Sequence, residues 1–175
     1  MCNFITATLP AGADTPAFRA AVDVAGLCFA PLGNRHIQTQ LHPTEAYFHA
    51  TRAHCDCSSG LGRRPDARQV DDQSKKLRAR GWSEAKIAAW QRTQGPRPKS
   101  REELEQRGDL TLDNWLTFLR SVLPRAGYVG LLQHQYRSST VDERFEITRE
   151  QRRVSELEKQ VFPWRENVLY EIVAG

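Results

Sequence analysis

Three of the four cysteines in this 175-residue chain could meet at one place. Cys55 and Cys57 stand in the run His54-Cys55-Asp56-Cys57, and Cys2 opens the chain. Thiolates with a neighbouring imidazole suit either a soft metal ion or thiol chemistry. Zn²⁺ takes sulfur and imidazole nitrogen in tetrahedral sites, because it is borderline-soft and has no d-electron geometry to satisfy. Cys55 and Cys57 supply two donors, and residues two apart in extended backbone point to the same side. A disulfide between them would strain its own geometry. Cys2 is the natural third donor, and His54, His36, His42 or a water the fourth. Sulfurs bonded to one ion at about 2.3 Å lie about 3.5–4 Å apart. An open fourth position would permit catalysis; a filled one would make the ion structural.

The competing chemistry is nucleophilic. A reactive cysteine needs a lowered pKa, supplied by an imidazolium or a helix N-terminus. Cys55 or Cys57 would be the nucleophile and His134 or His49 the base. His54 adjoins the pair, but neighbours in a strand point opposite ways. Arg52 could hold an anionic substrate group. With Met1 removed, Cys2 would be an N-terminal thiol, and that start resembles N-terminal-nucleophile amidohydrolases, although Asn3 stands where they usually carry glycine. Cys28, between Leu27 and Phe29, reads as a packed core residue.

These donors need a scaffold that returns the chain to its own beginning. Phe4 to Leu9 alternates, with Ile5, Ala7 and Leu9 on one side, which predicts a strand. Asp14-Thr15-Pro16 starts a helix whose apolar face is Phe18, Ala21, Val22 and Ala25 and whose stop is Gly26. Leu27 to Ala30 reads as a short strand before a turn at 31–34. Ala46 to Thr51 reads as a third strand running into the cysteines. If it lies antiparallel beside the first strand, its end meets Cys2.

Past the Ser58–Gly62 break the chain turns basic. From Leu61 to Arg101 it carries twelve Lys and Arg against four acids, a charge of +8, while the remainder carries −4, which together give the net +4. Such a stretch is either a solvated insertion or a surface for nucleic acid or another polyanion. Gln73 to Arg80 reads as a helix closed by Gly81, and Ser83 caps a second that runs to about Arg92. Leu77, Gly81 and Ile87 stand at spacings that resemble a bacterial helix-turn-helix. That resemblance implies a DNA surface built from Lys75, Lys76, Arg78, Arg80 and Lys86. A plain helical hairpin obeys the same spacing. Trp82, Trp90 and Trp115 read as packing residues.

Gly95 to Pro98 reads as a linker. Ser100 and Glu103 form a capping box for a helix ending at Gly108. Thr111 starts an amphipathic helix through Leu112, Trp115, Leu116, Leu119, Val122 and Leu123, ended by Pro124. Tyr128–Tyr136 and Arg144–Thr148 read as a hairpin, with His134 a bonded structural histidine in phase with Leu132 and Tyr136. A short helix over 155–160, a turn at Pro163 and a strand from Val168 to Val173 complete the chain.

Strands at both ends with helices between predict one α+β domain over 1–175. Its mixed, mainly antiparallel sheet comes from the N- and C-terminal thirds, with a basic helical insertion over 58–108. A composition 39% hydrophobic and 26% charged excludes a disordered chain. No apolar run reaches the roughly 18 residues of a spanning helix. The N-terminus lacks the basic and apolar blocks of a signal peptide, which predicts a cytoplasmic protein with reduced thiols and no membrane partner.

Met-Cys at the start, Thr-Arg-Ala-His-Cys-Asp-Cys at 51–57, Tyr-Val-Gly-Leu-Leu-Gln-His at 128–134 and Asn-Val-Leu-Tyr-Glu-Ile-Val at 167–173 together resemble a group of uncharacterised bacterial proteins. The resemblance spans most of the chain and implies no activity. From the residues come three functional expectations: a Cys/His zinc site on Cys2, His54, Cys55 and Cys57; a thiol-dependent enzyme of undetermined substrate; and a nucleic-acid-binding protein using the hairpin at 73–92.

Overall fold

A computed structural model describes residues 2–50, 56, 59–61, 74–94, 110–157 and 164–175, with backbone only for residues 2 and 90–94. Six strands form one mixed sheet: β1 (Cys2–Leu9), β2 (Ala30–Pro31), β3 (Ala46–His49), β4 (Tyr128–Tyr136), β5 (Thr148–Arg153) and β6 (Val168–Val173). The order is β2-β3-β1-β4-β6-β5, and every pairing is antiparallel except β5 with β6. The fold is α+β, and its two central strands come one from each end of the chain.

Alternation decides the two faces. Ile5, Ala7 and Leu9 of β1, Val129 and Leu131 of β4, and Val168, Tyr170 and Ile172 of β6 face the main core. Helices α1 (Pro16–Ala25) and α5 (Leu112–Ala126) close that core with Phe18, Val22, Trp115, Phe118, Leu119 and Leu123. Thr15 caps α1, Pro16 is its first residue, and Gly26 ends it at φ 71°, as the sequence predicts. A smaller cluster covers the other face. Leu32, Ile37 and Leu41, around α2 (Arg35–Gln38), pack on Tyr47, Leu132 and Leu169, with Phe145 and Ile147 beside them.

The basic segment is partly built into the core. Residues 74–79 form α3, Gly81 turns the chain at φ 79°, and α4 (Glu84–Gln94) follows, with Ser83 accepting from the Lys86 amide. The expected hairpin is present. Leu61 joins the main core cluster and Ile87 is buried. The linker at 95–98, the helix ending at Gly108 and residues 158–163 lie outside the described residues. Of the helix expected over 155–160, α6 (Val154–Leu157) is seen.

Four sequence expectations are corrected. Residues 27–29 are not a strand: Phe29 turns inward with φ 45°, and β2 is only Ala30–Pro31. Cys28, on the opposite side of that turn, is exposed and not in the core. Pro124 does not end α5. It lies on the exposed side of the last turn, where one missing donor is tolerated, and Gly127 stops the helix. Residues 144–147 form no hairpin with β4. They cross the second face, and the following strand, β5, pairs with β6 instead. That crossing is pinned by the fully buried Asn34, whose amide donates to the carbonyls of Thr140 and Glu143, each at 3.0 Å.

Candidate metal-thiolate site

The register of β1 and β3 determines where the cysteine-bearing segment goes. Thr6 opposes His49 and Leu9 opposes Ala46, so β3 runs toward the Cys2 end of β1. The Ala50 amide adds one more rung, donating to the Ile5 carbonyl at 3.2 Å. Asp56 continues along the same flank. Its amide donates to the Asn3 carbonyl at 2.8 Å, and its carboxylate accepts from the Ile5 amide at 2.7 Å. Asp56 is only 3% exposed. Its side chain thus supplies the acceptor that a longer β3 would have offered. A buried strand amide left unpaired is costly, so this bond fixes the segment rather than decorating it.

Arg52, His54, Cys55 and Cys57 lie outside the described residues. The residue between the two cysteines does not, and it is bonded to the neighbour of Cys2. On the other side of β1, the Cys2 backbone opposes Tyr136. The expected antiparallel return of the chain to Cys2 is therefore present in backbone pairing.

The reserve donors separate. His42 precedes β3 and adjoins the Leu9 end of β1, about 23 Å from Cys2 at roughly 3.3 Å per strand residue. As a fourth donor it is corrected. His36 sits on α2, where its Nε2 accepts from Arg144 Nε at 2.9 Å. His49 opposes Thr6, four residues along the strand from Cys2, and packs its ring edge-on to Phe4.

His134 is held by several partners on the second face of the sheet. Its Nδ1 donates to Asn167 Oδ1 at 2.6 Å, and its Nε2 lies 3.3 Å from Glu143 Oε1. Glu166 approaches Nδ1 at 3.4 Å, Phe145 stacks at 3.6 Å between centroids, and Tyr136 meets the ring edge-on. Both nitrogens serve protein partners, the arrangement of a structural histidine. Burial pushes the Glu143 carboxyl up, but bonds from the Arg137 and Ser138 amides and from His134 outweigh it and hold it below the usual range.

Sequence reasoning missed a second polar cluster at the far end of the same face. Glu45, its side chain 1% exposed, accepts from Arg149, from the Tyr128 hydroxyl at 2.6 Å and from the His42 amide at 2.8 Å. Arg149 also reaches Glu171 at 2.8 Å. Burial raises the Glu45 carboxyl, and these donors together bring it below its ordinary value. Tyr128 is pushed up by burial and by the Glu45 carboxylate. The group is fully paired and ties the chain ahead of β3 to β4, β5 and β6. Four widely separated residues make it, so no local spacing could announce it.

The basic side chains named for nucleic acid, Lys75, Lys76, Arg78, Arg80 and Lys86, are all exposed. Arg78 pairs with Glu84 at 2.6 Å, and Lys86 lies 4.2 Å over the Trp82 ring. Trp115 is fully buried as expected, while Trp82 is half-buried. Among the described residues no group of three or more His, Cys, Asp or Glu could hold a metal ion, and no helix is long and apolar enough to cross a membrane. No family model matches the chain, and no curated protein and no solved structure matches it.

Proposed function

We propose that this chain is a zinc-thiolate protein whose ion is held by Cys2, Cys55 and Cys57 with His54 as the fourth donor. The hydrogen bond from the Asp56 amide to the Asn3 carbonyl carries the reading. It ties the middle of the Cys-x-Cys run to the residue after Cys2, on the flank where β3 points. Three thiolates and an imidazole are the donor types that zinc selects. Bound there, the ion would cross-link two segments some fifty residues apart and add to folding stability. Reduced thiols suit a cytoplasmic setting.

A second reading, binding of nucleic acid or another polyanion, is favoured by the exposure of the five basic side chains on α3, the turn and α4. One experiment separates the readings. The purified protein is assayed for metal, with its Cys55→Ser and Cys28→Ser variants beside it. Equimolar zinc, lost in Cys55→Ser and kept in Cys28→Ser, is the expected result. A metal-free protein with one fast-reacting thiol would instead favour a thiol-dependent enzyme with Cys55 or Cys57 as nucleophile. A metal-free protein that shifts duplex DNA in a salt-dependent way would favour the second reading.

A further inference from the structure

Buried polar groups in a folded chain are nearly always hydrogen-bonded. Among the described residues, the buried side-chain atoms without any partner are Ser59 Oγ, Trp115 Nε1 and both amide atoms of Gln133. Gln133 is 2% exposed and Trp115 not at all.

They fall in one region of the fold. Gln133 shares the core face of β4 with Val129 and Leu131 and opposes Ile5. The Ile5 amide donates to Asp56, and the Asp56 carbonyl accepts from the Ser59 amide at 3.1 Å. Gly60, next along, donates to the Leu110 carbonyl at 2.7 Å, and a Cβ there would overlap the backbone of Thr111 and Leu112. That close approach sets Ser59 against the first turn of α5, one turn before Trp115. Distances along the elements agree. From Gly127, α5 runs back about 18 Å to Trp115 at roughly 1.5 Å per residue. From Tyr128, β4 covers about 16 Å to Gln133 at roughly 3.3 Å per residue.

We propose that Gln133, Trp115 and Ser59 form a binding site for a small uncharged molecule bearing a carboxamide. The inventory of free groups selects that class. The indole N–H only donates. The Gln133 amide both donates and accepts, and the Ser59 hydroxyl does either. A carbonyl oxygen satisfies the indole and the Gln133 N–H, and an amide N–H on the same ligand satisfies Gln133 Oε1. None of the three side chains is charged, and among the described residues the Asp56 carboxylate, bonded to the Ile5 amide, belongs to the segment that carries Ser59, which disfavours anions. In the present packing these atoms touch no solvent, so binding opens the contact between the 59–61 segment and α5; the unpaired groups favour that opening. The site stands whether or not the cysteines hold zinc.

Acetamide is the probe, followed by ¹H–¹⁵N spectra of the intact chain. Trp115→Phe and Gln133→Met identify the indole and side-chain amide signals. The expected result is that both signals move along one saturable curve with acetamide and stay still with acetate. Gln133→Met, apolar and of similar length, keeps the fold and loses the response. Trp115→Phe weakens binding several-fold and gives a second readout through the Gln133 amide. No movement with acetamide overturns the proposal, as does movement that Gln133→Met retains. Contact of both groups with a long-lived water that acetamide does not displace overturns it too.

Discussion

Asp56 offers the sharpest handle on the proposed metal site. Replacing it with alanine removes the acceptor of the Ile5 amide and leaves the Asp56–Asn3 backbone bond chemically available. The lost bond is short, 2.7 Å, and charge-assisted, and both partners are buried. Bonds to charged groups contribute about 1.5–3 kcal/mol, and an orphaned buried amide costs a similar amount. Release of the desolvated carboxylate offsets some of this, so about 1.5–2 kcal/mol is expected for Asp56→Ala. At about 2–4 °C per kcal/mol for a chain of this size, Tm falls by about 3–8 °C. Asp56→Asn keeps an oxygen acceptor and is expected to lose less than half as much. Thermal unfolding measures both, and hydrogen exchange at the Ile5 amide reports the site directly: protection falls in the alanine variant and persists in the asparagine one. The same pair bears on the metal. If the carboxylate positions the cysteines, zinc affinity falls in Asp56→Ala and is retained in Asp56→Asn. Equal melting of Asp56→Ala and the parent protein, with unchanged Ile5 protection, would refute the reasoning.

Two further outcomes follow from the packing. The folded-state pKa of Glu45 lies below its ordinary value of 4.5, so its bonds stabilise the fold above that range and lose the contribution as pH falls through the depressed value. Glu45→Gln is therefore expected to lower stability at neutral pH and to flatten part of the acid limb in denaturant titrations; Glu143, shifted the same way, supplies another part of that limb. An unchanged acid limb would count against the Arg149 pairing. Gly60→Ala would drive a methyl group into the backbone of Thr111 and Leu112, which cannot yield as a flexible side chain would. A loss of about 1–3 kcal/mol is expected from denaturant unfolding, and a neutral substitution would show that the 59–61 segment does not seat on α5.

Local pattern made much of this architecture legible. The alternation of residues 4–9, the proline and glycine that bracket α1, the apolar stripe of α5 and the glycine-centred hairpin of α3 and α4 each follow from neighbouring residues. The antiparallel run of β3 toward Cys2 followed from asking where a Cys-x-Cys pair must lie to meet an N-terminal thiol. The chain around Cys28 misled because residues 27–30 are an unbroken apolar run, whereas the backbone turns at a left-handed Phe29 that is buried while the thiol is exposed. Residues 144–147 misled because a strand-like composition cannot say which strand it joins. Asn34, more than a hundred positions away, holds that segment across the sheet.

Side-chain chemistry within a turn or strand is written in adjacent residues, so the sequence by itself determined the α+β class and the two helices of the main core, and it supplied the candidate donors on which the proposed thiolate site rests. Tertiary structure alone decided that Asp56 closes the ladder of β1, that Glu45, Tyr128, Arg149 and Glu171 meet, and that Gln133 and Trp115 are buried unpaired. Each of these depends on segments tens of residues apart arriving at one point, and no local spacing encodes where that point lies.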